Sequence, residues 1–175
     1  MNIVLIGLPG SGKTTVGKIL SEKIKREFFD SDFEIESAQG KSINEIFKNG
    51  EEYFRDIETE VLKKILVKDN IILASGGGIV ERACNIDLLK DHYVIFLDRS
   101  VEDILKNLDE SNRPLLKENP YENLKNISDK RREKYLSVAD FVVSESTAND
   151  IVDEIIKKIN EELIWRKYYL YWGQI

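Results

Sequence analysis

Short runs that are apolar at every position recur along the chain at residues 3–6, 71–74, 93–97 and 141–143, with a weaker one at 27–29. Between these runs the apolar residues return at three- and four-residue spacing instead. Val16, Ile19, Leu20 and Ile24 make one such face, Ile57, Val61, Leu62, Ile65 and Leu66 a second, and Ile151, Val152, Ile155, Ile156, Ile159 and Leu163 a third. Successive side chains of a strand point to opposite sides, so a strand that is apolar throughout needs cover on both faces. The longer period puts apolar side chains on one stripe of a helix. Ser42 followed by Glu45 reads as a capping box that opens one more helix. The alternation predicts a three-layer α/β/α sandwich on a parallel sheet, with ligands at the carboxyl ends of the strands.

Two stretches break the pattern. Residues 108–121 carry Asp109, Glu110, Ser111, Asn112, Arg113, Pro114 and Pro120 with neither period, which predicts a mobile loop. Residues 165–172 are crowded with Trp and Tyr beyond the point where the last amphipathic helix is expected to end. That tail is expected to extend the helix or pack over the domain, with a self-association surface as the alternative.

A chain of 175 residues suits one domain with a core of its own. The single cysteine, Cys84, has no partner for an internal disulfide and reads as a buried or semi-buried filler, and no leader or long apolar run is expected, which together point to the cytoplasm. A net charge of −6 disfavours nucleic acid and anionic membrane as partners. A small-molecule partner and a monomer are the expectation.

The first chemistry appears at the end of the first apolar run. Residues 7–14 read Gly-Leu-Pro-Gly-Ser-Gly-Lys-Thr, between that strand and the Val16 to Ile24 helix. Polyphosphate oxygens need converging N–H donors and a cation, and a glycine-rich loop feeding a helix N-terminus supplies them. Gly10, Ser11, Gly12, Lys13, Thr14 and Thr15 are therefore candidates for nucleotide binding, with Lys13 reaching the β- and γ-phosphates and the Thr14 hydroxyl ligating Mg²⁺.

Such a loop leaves the destination of the phosphate open. Directly after the second strand comes Asp30-Ser31-Asp32. In an extended chain residues two apart point the same way, so both carboxylates are expected in one small volume, where they could hold Mg²⁺ waters and orient an attacking hydroxyl. The plainer alternative is a polar turn that caps the next helix. Asp98, after the fourth strand, looks superficially like a metal-binding aspartate, but a loop or capping role is favoured for it.

The order Asp30-x-Asp32, Phe54-Arg55-x-x-Glu58, Ser75-Gly76-Gly77-Gly78, Arg113-Pro114-Leu115-Leu116 and Arg131-x-x-x-Tyr135-x-x-x-Ala139, added to the phosphate loop and Gly17, resembles the shikimate kinase family up to about Leu163. The resemblance implies a P-loop fold of the nucleoside-monophosphate-kinase kind: a five-stranded parallel sheet, a substrate-binding helical region at about 32–60 and a mobile lid at about 108–121, all in one domain of residues 1–164 followed by an aromatic extension, 165–175. It implies ATP and Mg²⁺ as cofactors and transfer of a phosphoryl group to the 3-hydroxyl of shikimate, on the route to chorismate and the aromatic amino acids. By the same resemblance Arg55 and Arg131 grip the substrate carboxylate, and Asp32 binds the ring hydroxyls and serves as base or aligner. Gly76, Gly77 and Gly78 contact the substrate, and Arg113 closes over the transferring phosphoryl group. Mg²⁺ is met directly by Thr14 and through water by Asp30 or Asp32. Lys106 stands where the family often has an arginine on the adenine, and no role is assigned to it. The competing expectations are another small-metabolite kinase on the same scaffold, such as a gluconate-type kinase, and a non-catalytic nucleotide-binding module.

Overall fold

The computed structural model describes residues 1–106, 119–145 and 147–172, with side chains described up to residue 161. Five parallel strands, β1 (Ile3–Ile6), β2 (Glu27–Asp30), β3 (Ile71–Ala74), β4 (Tyr93–Leu97) and β5 (Phe141–Val143), lie in the order β2-β3-β1-β4-β5. The helices are α1 (Lys13–Ile24), α2 (Ser31–Gln39), α3 (Ile43–Phe47), α4 (Glu51–Leu66), α5 (Ala83–Leu89), α6 (Val101–Lys106), α7 (Pro120–Val138) and α8 (Ala148–Trp172), with a 3-10 turn at Ile79–Glu81. After β1 the chain moves to one side of the sheet for β2 and β3, then crosses to the other side for β4 and β5. The strand order therefore reverses at β1, and the crevice beyond its carboxyl end is the place where such sheets bind ligands.

The predicted double cover is visible residue by residue. Ile3 and Leu5 of β1, Ile72 of β3 and Ile95 of β4 pack with Val16 and Leu20 of α1 and Ile151, Val152 and Ile155 of α8. Val4 and Ile6, Leu73, Val94 and Phe96 point to the other side, against Leu62 and Ile65 of α4 and Leu124 and Tyr135 of α7. Because β1, β3 and β4 are buried on both sides, a shift of one residue in their register would still bury oil but would aim the strand ends differently. The register in place aligns Asp30 of β2 with Ala74 of β3, and Leu5 of β1 with the same Ala74, so these strands finish on one edge.

Several expectations change in detail. β2 runs one residue further than expected, to Asp30, and α7 begins at Pro120, so the last two residues of the expected loop are helical. Proline suits the first turn of a helix because its missing N–H has no intrahelical partner there. The remainder of that loop, with Arg113, lies outside the described residues. α8 continues unbroken to Trp172, so the backbone of the tail is helix through that residue. Cys84 is exposed rather than a buried or semi-buried filler, since α5 turns it outward while Asn85 and Leu89 face in. The Ser42–Glu45 capping box is present in full at the start of α3.

Gly17 shows how tightly α1 sits on β2: a Cβ there would lie 2.4 Å from Phe28 Cε2. In an open helix Gly17→Ala would gain about 1 kcal/mol of helix propensity. Here overpacking, at about 1–3 kcal/mol, opposes and exceeds that gain. Urea titration is expected to show a net loss of about 1 kcal/mol for Gly17→Ala, and a net gain when the same change is made in a Phe28→Ala background.

Candidate active site

The phosphate loop is built by backbone shape. Gly7, Gly10 and Gly12 have φ values of 147°, 84° and 92°, in the region where a side chain is strained. Gly12 caps α1 with no side-chain hydrogen bond, and the first turn of α1 holds no acidic residue, so its N–H groups point toward the crevice without an internal anion. Lys13 folds back over the loop and donates from Nζ to Gly7 O at 3.0 Å and Leu8 O at 2.8 Å. The loop thus places a buried ammonium group beside helix-terminal amides, an arrangement suited to a polyphosphate. Arg99, which the sequence did not single out, brings Nη1 to 4.0 Å from where a Gly12 Cβ would stand.

The acidic pair is close to the loop, but not in the manner expected. α2 starts immediately after Asp30, so Asp32 lies on a helical first turn and not in an extended strand. The two carboxylates consequently do different things. Asp30 accepts from the Asp32 and Phe33 amides at 3.0 and 3.3 Å through Oδ1, and from Thr14 Oγ1 at 2.6 Å through Oδ2. It is both the helix cap and the neighbour of the loop hydroxyl. Asp32 lies against the glycine triplet, where a Cβ on Gly76 would meet Asp32 Oδ1 at 2.8 Å.

None of Gly76, Gly77 and Gly78 has a positive φ, so the triplet is not required by turn geometry. Space explains it. A Cβ on Gly77 would stand 2.9 Å from Pro9 Cδ of the phosphate loop, and one on Gly78 2.2 Å from Arg55 Nη1. Ser31, also missed from sequence, is buried and accepts from the Gly76 amide at 2.8 Å, which ties the start of α2 to the triplet.

Arg55 is 6% exposed on α4 and is held by Glu58 at 2.8 Å and Glu51 at 3.2 Å. Burial works against its charge, but Glu58 and Glu51 outweigh it and raise its pKa. Burial pushes the Glu58 carboxyl up while Arg55 pulls it down. The net direction for Glu58 is upward, burial being the larger influence, while Arg55 keeps its charge because a guanidinium does not surrender its proton. Arg55 Nε remains buried without an acceptor among the described residues, an unmet donor of the kind that a ligand carboxylate satisfies.

From the opposite side, α7 brings Arg131 Nη1 to 3.1 Å from Gly77 O, while its Nε donates to Glu81. The Tyr135 hydroxyl donates to the same Gly77 carbonyl, and burial raises that phenol to about 12, so it stays a donor at any physiological pH. Its ring packs on Phe96, 5.1 Å between centroids. Asp32, Arg55, Arg131 and the triplet thus form one group that touches the phosphate loop through Pro9. Asp98 is engaged by Arg132 at 2.7 Å, and Lys106 by Asp103 at 3.1 Å.

Among the described residues no group of three or more His, Cys, Asp or Glu gathers as a metal cage. Thr14 Oγ1 and the nearby carboxylates are hard oxygen donors, few in number, and that suits Mg²⁺, which keeps several of its waters.

The reversal of strand order at β1, the anion-binding loop after it and the polar cluster opposite define a P-loop kinase fold. A family model described as shikimate kinase matches residues 9–160. The chain is 42% identical over 159 residues to a shikimate kinase from Clostridium botulinum, covering 90% of this chain and 96% of that one. Against a shikimate kinase from Clostridium beijerinckii it is 40% identical, with 92% and 96% covered. The structure resembles that of the Acinetobacter baumannii shikimate kinase in complex with shikimate, with a TM-score of 0.87, 39% identity, and 92% and 93% of the two chains covered. A gluconokinase from Sinorhizobium meliloti, at TM-score 0.58 and 16% identity, shares the fold alone. The chain belongs to the shikimate kinase family.

The double duty of Asp30 can be separated. Asp30→Ala removes the cap of α2 and is expected to cost about 1–2 kcal/mol in chemical denaturation. Asp30→Asn keeps a carbonyl oxygen for the two amides and is expected to cost only a few tenths.

Proposed function

We propose that this chain transfers the γ-phosphoryl group of ATP to the 3-hydroxyl of shikimate, giving shikimate 3-phosphate and ADP. The observation that carries the reading is the meeting of Asp32, Arg55 and Glu58 on a glycine triplet whose middle member rests on Pro9 of the phosphate loop. Donor and acceptor sites therefore share one wall. The substrate combines a carboxylate with ring hydroxyls, and the wall offers guanidinium groups for the first and a carboxylate for the second.

Gly10, Ser11, Gly12, Lys13, Thr14 and Thr15 hold the nucleotide phosphates through loop amides, hydroxyls and the Lys13 ammonium. Mg²⁺, when bound, neutralises charge between the phosphates, and would be held directly by Thr14 and through water by Asp30 and Asp32. Asp32 accepts the hydrogen bond of the 3-hydroxyl and aims its oxygen along the line of transfer. Arg55 and Arg131 fix the substrate carboxylate, the former through its buried Nε. Gly76, Gly77 and Gly78 let the ring lie against backbone. Arg113, in a lid of about 108–121, closes over the transferring group and stabilises its charge. Since phosphoryl transfer asks little covalent work of the protein, these placements account for most of the rate.

The catalytic unit is one domain of residues 1–164, with substrate-binding helices at about 32–60, and it works as a cytoplasmic monomer. In support of a single unit, the family model spans residues 9–160, and no helix among the described residues is long and apolar enough to cross a membrane. The gluconate-type alternative shares the fold, and the Arg55 and Arg131 pair with the glycine triplet is the feature that favours shikimate over it.

In a coupled ADP-release assay, shikimate is expected to give fast, Mg²⁺-dependent turnover while quinate and gluconate stay near background; equal turnover on gluconate would sink the proposal. Asp32→Asn is expected to lower kcat by about 10²–10⁴-fold, the range of a lost acid–base or aligning group, while leaving ATP affinity close to wild type.

A further inference from the structure

Two adjacent residues of opposite charge follow the glycine triplet, and each ties the loop to a different helix. Glu81 takes Arg131 Nε on one oxygen and Lys134 Nζ on the other, the latter at 2.7 Å, and both partners lie on α7. Arg82 reaches the other way, to α4. Its Nη1 meets Asp56 Oδ1 at 2.7 Å, and its Nη2 meets Glu52 Oε2 at 2.6 Å and Glu52 O at 3.2 Å. These are the two helices that carry Arg131 and Arg55.

We infer that Glu81 and Arg82 are positioning residues, a two-residue brace that sets the separation and facing of the Arg55 and Arg131 guanidinium groups and hence the preference of the site for a carboxylate-bearing substrate. The inference rests on the substrate reading given above and extends it to residues that do not touch substrate.

Isolated exposed ion pairs contribute little to stability, and Glu52 and Asp56 are largely exposed, so the brace is not chiefly a stabilising feature. Its geometry gives it another use. With Nε on Glu81 and Nη1 on Gly77 O, the Arg131 guanidinium is locked in rotation. Burial alone would raise the Glu81 carboxyl, but hydrogen bonds from Lys134 and Arg131 prevail and hold it below the ordinary range, so it is an anion at neutral pH. On the other side, Arg82 draws α4 against the turn that starts at Gly78, where Arg55 already lies too close for any side chain. A charge-assisted contact to a carboxylate depends on the direction of the guanidinium, which makes a brace outside the site consequential.

The test compares shikimate with its methyl ester, which keeps the hydroxyls and removes the anionic group. In Glu81→Gln, KM for shikimate is expected to rise about tenfold, with kcat and KM for ATP near wild type, and the preference for acid over ester is expected to fall by a similar factor. Arg82→Gln is expected to act in the same direction, and Arg82→Lys, which retains one ion pair, to recover part of the loss. A lowered melting temperature with unchanged KM and unchanged acid preference in both Gln variants would reduce the brace to a structural tie and overturn the inference. A lower KM in Glu81→Gln would also overturn it, since Glu81 would then be a competitor of the substrate. Should Glu81→Gln fail to fold, Lys134→Met loosens Glu81 from its exposed side and carries the same measurement. Wild-type enzyme that treats acid and ester alike would overturn the assignment of Arg55 and Arg131 themselves, and the brace with it.

Discussion

The site depends on the absence of three side chains at the carboxyl end of β3. A single methyl group at Gly76, Gly77 or Gly78 would fall 2.9 Å or less from Asp32, Pro9 or Arg55 respectively. The three neighbours belong to α2, the phosphate loop and α4. The triplet is thus the common surface on which three otherwise independent segments are packed, and its carbonyl at Gly77 adds a fourth, α7, through Arg131 and Tyr135. Removing bulk at one place is what lets charged groups from distant parts of the chain converge there.

Such convergence brings an electrostatic burden, and the way it is met explains which residues surround the triplet. Arg55 and Glu58 are both nearly buried, where an unpaired charge is strongly destabilising. They neutralise each other three residues apart on one helix, a spacing that needs no tertiary adjustment. Arg131 is treated differently: its partner Glu81 comes from another element. Arg55 is therefore fixed within its own helix, whereas the direction of Arg131 is set by the turn that follows the triplet.

These differences also explain what could be read from the chain. The strands, the phosphate loop and the α3 cap are local features, written in periods of two to four residues or in one contiguous motif, and they are found where they were expected, β2 running one residue longer. The pairing of Arg55 with Glu58 was legible for the same reason. Ser31, Glu81, Arg82 and Arg99 were not, because their partners lie far away in sequence and no spacing rule connects them. The fault in the reading of Asp30 and Asp32 is of another sort. Extended geometry was assumed past the strand end, but an aspartate able to accept from two free amides favours starting a helix there. Cys84 was misjudged because residue type alone says inside, while α5 offers only one buried face.

Why nucleotide and acceptor sites share an edge at all follows from the sheet. The central strands β1, β3 and β4, buried on both faces, carry little information about register, and polar residues at the strand ends help to fix it. Asp30 does this for the edge strand β2. Paired with Ala74 in register, it is bound at the same time to the first turn of α2 and to Thr14 at the start of α1. A slip of one residue would carry the local cap along with the strand, but would break the bond to Thr14 and draw Ser31 away from the Gly76 amide. One carboxylate thus couples strand register, helix start and the hydroxyl of the phosphate loop. The acceptor side of the crevice is held in line with the nucleotide side by the group proposed to hold the waters of the metal between them.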